Sequence, residues 1–171
     1  ERASRIIMLT TFRWLLRIFM TLAALAILAA VLVYYFASRS LPEYNAQFDV
    51  TGISAPLEIV RDTADVPHIF GKTDEDTYFA LGFAHAQDRL WQMTILRRAV
   101  EGRLSEVFGT RTVKTDELMR RLDLAGLAAR SLTAQDAEVQ KALEAYARGV
   151  NAWIGIINSQ ARGRGAPEFF L

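Results

Sequence analysis

Residues 18–37 form a run of twenty without a charge and with a single aliphatic hydroxyl, Thr21. As a helix, at 1.5 Å per residue, this run reaches about 30 Å, the thickness of a bilayer's hydrocarbon core. That limits the rest of the chain before any other feature is considered. Residues 18–37 are predicted to be a transmembrane helix, and residues 1–17 a basic cytoplasmic N-terminus. Arg2, Arg5, Arg13 and Arg17 precede the run and only Arg39 follows closely, so the excess of positive charge places the N-terminus in the cytoplasm and the remainder across the membrane. Tyr34 and Tyr35 suit the far interface. The competing reading is a cleaved secretory signal, whose apolar part usually has about 7–15 residues and ends in a small-x-small pattern. This run is longer and ends in Tyr-Tyr-Phe-Ala-Ser-Arg, a poor cleavage site. A retained anchor is therefore expected, and either reading exports the domain C-terminal to the run.

The exported part differs in charge from the whole. The chain carries +1, but without Glu1 and the four leading arginines it keeps 16 basic against 18 acidic side chains. The basicity belongs to the membrane flank, and no basic patch interleaved with stacking aromatics points to nucleic acid. Cysteine is absent, which excludes disulfides, thiolate metal sites and a cysteine nucleophile together. An exported domain of this kind needs stability from packing or from another chain.

Residues 38–56 contain Pro42, Gly52 and Pro56 and few periodic apolar positions, so they read as a tether with a short extended piece at residues 47–50. Residues 57–61 and 66–70 are β-rich around the turn formers Asp62-Thr63-Ala64-Asp65, which predicts a hairpin; Pro67 cannot donate to a ladder and belongs at an edge. Thr73 with Asp76 resembles a capping box opening a long helix. On that helix Phe79, Phe83, Ala86, Leu90, Met93 and Leu96 mark one apolar face. A bend is expected within residues 86–89, some of Gln87, Asp88 and Arg89 turn inward, and the helix ends by Gly102. Residues 104–109 supply a short turn closed by glycine. Residues 114–130 read as one helix with Leu118, Leu122, Leu124 and Leu127 buried. A second capping box at Thr133 and Asp136 opens a final helix carrying Val139, Leu143, Tyr146, Val150, Trp153 and Ile157. A polar loop at residues 158–165 and an apolar ending at Phe169-Phe170-Leu171 come last, and the sequence looks cut there. No repeat is visible.

For chemistry, His85 with Asp88 at helical spacing is the natural base and orienter. The nearest hydroxyls, Thr94 and Ser105, lie in no nucleophile elbow, so a structural role is favoured for His85 and for His68. Two histidines 17 residues apart, without cysteine, make a transition-metal site inside this chain an unfavoured reading. Asp74, Glu75 and Asp76 suit helix capping better than calcium, since no glycine-containing calcium loop follows. Arg97, Arg98, Arg120 and Arg121 read as solvated or paired. No catalytic, cofactor-binding or metal residue is assigned.

Several stretches together resemble the α-chain region of the penicillin acylase (penicillin amidase) family. These are Ile59-Val60-Arg61-Asp62 leading to Val66-Pro67-His68-Ile69, and Gly82-Phe83-Ala84-His85-Ala86-Gln87-Asp88-Arg89-Leu90-Trp91-Gln92-Met93. Arg97-Arg98 with Gly102-Arg103-Leu104-Ser105-Glu106 and Phe108-Gly109, then Tyr146-Ala147-Arg148-Gly149-Val150-Asn151-Ala152-Trp153-Ile154, and finally Pro167-Glu168-Phe169 complete the set. The resemblance spans residues 53–171. It implies an αββα N-terminal nucleophile hydrolase, made as a precursor that cuts itself, in which residues 57–171 are a truncated α-chain domain, mostly helical with a small hairpin, and the missing β chain completes the fold. The β chain would begin with a serine whose own α-amino group acts as base. Linear amides of penicillins, cephalosporins or acyl-homoserine lactones would be the substrates, and the protein would sit on the periplasmic face of the inner membrane. The resemblance implies that Gln87, Asp88 and Arg89 are scaffold, and that calcium belongs to the complete fold, with no ligand assigned here. Two rivals remain: an inactive family member serving as a membrane-anchored accessory subunit of a larger complex, and a plain helical interaction module.

Overall fold

The computed structural model describes residues 2–40 and 42–160, and the chain divides into two compact units, Glu1–Arg39 and Ser40–Leu171. The first unit is essentially one helix, α1 (Arg2–Ser40). It takes in the residues expected as a separate basic N-terminus as well as the apolar run. Within it Thr11–Ser38 is long and apolar enough to cross a membrane, by length and composition. Thr21 donates its hydroxyl to the Arg17 and Ile18 carbonyls, which satisfies the one aliphatic hydroxyl of the run inside the helix itself. The Arg17 guanidinium lies over the Trp14 ring, 5.5 Å from its centroid.

The second unit opens with irregular backbone over residues 42–57. Residues 47–50, expected as a short extended piece, join no sheet. The segment is nonetheless packed, because Phe48, Val50, Ile53 and Leu57 lie against the core. The predicted hairpin comes next, β1 (Glu58–Arg61) antiparallel to β2 (Pro67–Phe70), with Glu58 opposite Phe70 and Arg61 opposite Pro67. Pro67 thus opens its strand at the turn end, where its missing N–H costs least. Asp62 builds the turn: its carboxylate accepts from the Ala64 and Val66 amides at 2.9 and 3.0 Å, and Asp65 takes a left-handed φ of 59°.

The long helix α2 (Asp74–Val100) begins at Thr73, whose hydroxyl accepts the Asp76 amide at 3.1 Å. The Asp76 carboxylate is held chiefly by Ser54, and the Thr73 amide, the reciprocal partner expected of a capping box, adds to the lowering of its pKa. The expected bend is at Arg89, with φ −139° and ψ 24°. Phe79, Phe83, Ala86 and Leu90 are buried as the face predicts, but Leu96 is 67% exposed. It lies past the bend, where the continuing stripe is turned away from the core. Glu101 caps the helix and Gly102, at φ 65°, ends it.

Short α3 (Ser105–Phe108) leads through a single 3-10 turn (Gly109–Thr112) into α4 (Val113–Leu122). Buried Asp116 on α4 accepts the amides of Leu104 and Ser105, both at 2.8 Å, and so caps α3 from a distance. The single helix expected over residues 114–130 is in fact two, α4 and α5 (Leu124–Thr133), because Asp123 adopts left-handed φ 49°, ψ 40° between them. The leucines expected to be buried there are not: Leu118, Leu122 and Leu127 are all more than half exposed, and Leu124 is half-buried. Their spacing marks an apolar stripe, and no other described element covers it.

The last helix is α6 (Ala137–Gln160). Thr133 does not cap it, since its hydroxyl donates back to Arg130 at the end of α5. The Asp136 carbonyl accepts the Gln140 amide as the first helical bond. Trp153 is 1% exposed, Tyr146, Val150 and Ile157 are half-buried, and Val139 and Leu143 are exposed. Burial is concentrated where α6 meets α2 at two glycines. A Cβ on Gly82 would lie 2.1 Å from the Tyr146 carbonyl oxygen, and one on Gly149 would lie 1.9 Å from that of Phe79. Backbone therefore touches backbone, and Phe83, Trp153 and Phe48 close the interior as tilted and T-shaped rings 5.4–5.8 Å apart. Helix α6 runs through Asn158, Ser159 and Gln160, residues expected in the polar loop; residues 161–165 and the apolar ending lie outside the described residues.

Candidate functional site

The polar side chains near the core fall into separate groups, each serving a different junction. At the bend of α2, Asp88 accepts both guanidinium nitrogens of Arg61 from β1, at 2.8 and 3.0 Å, and the Tyr44 phenol at 3.1 Å. Arg61 is stacked over the Tyr44 ring, 4.0 Å from its centroid. Burial and the neighbouring Asp88 raise the Tyr44 pKa, so the phenol stays a donor. A bidentate Arg–carboxylate pair with 11% and 25% side-chain exposure fixes geometry as well as charge. Three segments distant in sequence meet at this one carboxylate.

His85 is not oriented by Asp88. Its Nδ1 lies 3.0 Å from the Tyr146 hydroxyl of α6, and burial raises the Tyr146 pKa. The spacing that suggested a base and its partner instead splits between two neighbours, since Asp88 is fully occupied by Arg61 and Tyr44. Neither candidate hydroxyl joins His85: Thr94 donates back to the Leu90 carbonyl, and the Ser105 side chain, like its amide, bonds Asp116. His68 lies 3.2 Å from Asp62 at the mouth of the hairpin. The amides of Val66 and Ala64 with His68 hold the Asp62 carboxyl below its ordinary value. Gln87 is buried as expected, and Arg89 points outward to Gln92.

The three acidic residues at the start of α2 diverge. Asp76, 3% exposed, accepts the Ser54 hydroxyl at 2.6 Å and its amide at 2.8 Å, and these bonds lower its pKa. Glu75 turns to Arg148, 3.6 Å away on α6. Among the described residues no three histidine or acidic side chains converge where a metal could sit. Of the arginines singled out, three are paired: Arg97 reaches Glu101, Arg98 joins Arg103 in holding Glu106, and Arg120 donates to the Gly102 carbonyl at 2.9 Å, while Arg121 is exposed. Sequence reasoning missed Tyr44, Ser54 and Tyr146 as partners. Nothing in their local pattern marks them, because each is defined by a contact across more than twenty residues.

The groups thus brace a helix pair and its hairpin. The chain belongs to the penicillin amidase family, whose model matches residues 56–171. It is 41% identical over 115 residues to the penicillin acylase 2 proenzyme of Pseudomonas sp. (strain SE83), covering 67% of this chain and 15% of that protein. It is 34% identical to the penicillin G acylase of Escherichia coli over 76% of this chain and 14% of that one, and 36% identical to the acyl-homoserine lactone acylase QuiP of Pseudomonas aeruginosa over 67% and 14%. A solved structure of a thermostable penicillin G acylase from Alcaligenes faecalis matches with a TM-score of 0.56 and 30% identity, over 62% of this chain and 56% of that one. The chain spans about 15% of the length of the curated relatives it matches.

Proposed function

We propose that this chain is the scaffold part of an acylase that hydrolyses a linear amide of an N-acylated substrate, a β-lactam side chain or an acyl-homoserine lactone. The supporting observation is the family match over residues 56–171, with relatives named for both substrate classes. In this reading the nucleophile comes from a β chain cut from the same precursor. The serine hydroxyl at that chain's start attacks the amide carbonyl, its α-amino group takes the proton, the amine leaves, and water releases the acid. Hydrogen-bond donors of the β chain stabilise the oxyanion. The groups of this chain hold the shape of the site: Asp88 with Arg61 and Tyr44, and Asp76 with Ser54. Helix α1 is the anchor of this enzyme in the inner membrane, with the acylase domain on the periplasmic side; its 28-residue apolar stretch supports that placement.

The test is to express the protein from its complete reading frame and measure acid release from a chromogenic phenylacetyl amide and from an acyl-homoserine lactone. Turnover of at least one, together with appearance of a second chain beginning in serine, is the expected result. Absence of turnover on both, with the second chain correctly formed, would overturn the assignment.

A further inference from the structure

Residues 42–57 have no regular structure, yet they are fastened along the first half of α2. At one end the Tyr44 phenol bonds Asp88 beneath Arg61. At the other, Ser54 is held through both its amide and its hydroxyl by buried Asp76. Between them Phe48 packs edge-on to Trp153 and tilted against Phe83. Asp76 and Asp88 are twelve residues apart, about 18 Å along the helix, so the segment runs the length of that half and ends at Asp88. The next residue, Arg89, is where helical dihedrals are lost. Past the bend the ties are different: Arg98 of α2 reaches Glu106 of α3, and the turn after α2 is held to α4 by Arg120 on Gly102 and Asp116 on Leu104 and Ser105.

We propose that residues 44–54 act as a strap that locks the first half of α2 onto α6, leaving Arg89 as the hinge on which residues 91–100 turn together with α3 and α4. A helix held both by the strap and by backbone contact with α6 at Gly82 and Gly149 has little room to bend. Bending is least costly where the ladder of i to i−4 bonds is already interrupted. Residues 91–122 move as one body because Arg98 ties the end of α2 to α3, and Asp116 and Arg120 tie the turn after α2 to α4. The strap sets where this motion stops.

Hydrogen exchange read by mass spectrometry on the full protein tests both parts. The expected result is exchange at residues 89–93 at least tenfold faster than at residues 79–87 and 94–100. Tyr44→Phe with Ser54→Ala should then speed exchange through residues 76–88 at least tenfold while residues 104–120 keep their rates. Equal protection on both sides of Arg89 and at it overturns the hinge. A variant that changes neither half, or loosens both alike, overturns the strap. Trp153 emission, isolated by Trp14→Phe and Trp91→Phe, gives a second readout in Tyr44→Phe alone: a red shift is expected, and unchanged emission counts against the strap.

Discussion

At the scale of single residues, the two glycines between α2 and α6 carry the most stringent constraint. A methyl at Gly149 meets the Phe79 carbonyl oxygen at 1.9 Å, whereas one at Gly155, six residues on in the same helix, meets nothing within 4 Å. Gly149→Ala should therefore cost about 3 kcal/mol or more through forced separation of the helices. Gly155→Ala should stabilise by about 0.5–1 kcal/mol through helix propensity alone. Urea denaturation of the two variants checks this, and matching effects would show that the helices do not meet as described. Buried Asp76 gives a second prediction. Hydrogen bonds from Ser54 hold its folded pKa below the ordinary carboxylate range, so the stability it contributes is complete above that range and is lost as pH falls through the depressed value. Asp76→Asn should flatten the acid limb of the stability profile and lower stability at neutral pH. An unchanged limb in an acid titration followed by circular dichroism would contradict it. Sequence alone placed Asp76 in a capping cluster and so identified its position but not its partner. Ser54 lies in a stretch whose prolines and glycine read as a tether, and no local pattern announces a hydroxyl held from 22 residues away.

At the scale of elements, local rules were reliable where the chain itself decides the outcome. The hairpin is legible because Asp62 and Asp65 build its turn from their own side chains and dihedrals. The bend in α2 was legible too, since a succession of polar residues interrupts an apolar face there. The rules failed where a neighbour decides. Thr73 and Thr133 are each followed three residues later by aspartate, and only Thr73 caps a helix. Thr73→Ala should cost about 1 kcal/mol, while Thr133→Ala should stay within about 0.5 kcal/mol. Thermal or urea unfolding separates the two, and equal losses would mean that Thr133 caps after all. The α4 and α5 leucines failed for a related reason. Their periodicity states which face is apolar, not whether anything covers it, and the left-handed Asp123 divides a stripe that reads as continuous. The site was less legible than the fold, because His85 and Asp88 stand at the right spacing to interact and yet each is taken by a residue from another segment.

At the scale of the whole molecule, α1 is built unlike the rest, with its large apolar side chains exposed from Phe12 to Phe36 and the one aliphatic hydroxyl of its apolar run turned back onto helix carbonyls. Such a surface is stable in water only if something apolar covers it. The hydrocarbon core of a bilayer would meet that need along residues 18–37 of the Thr11–Ser38 stretch, where a helix satisfies its own backbone without further partners. If α1 is a retained anchor, the protein expressed from its complete reading frame should stay with the membrane pellet after an alkaline carbonate wash. Leu25→Arg with Leu28→Arg should release it, because each arginine at a helix centre costs about 2.5–3.5 kcal/mol on insertion. If α1 is instead an export signal, sequencing the mature N-terminus will find it beginning after the apolar run, and the wild-type domain will wash off. The two results separate cleanly, since a cleaved signal leaves no span to extract and a retained one leaves the arginines of residues 1–17 on the protein.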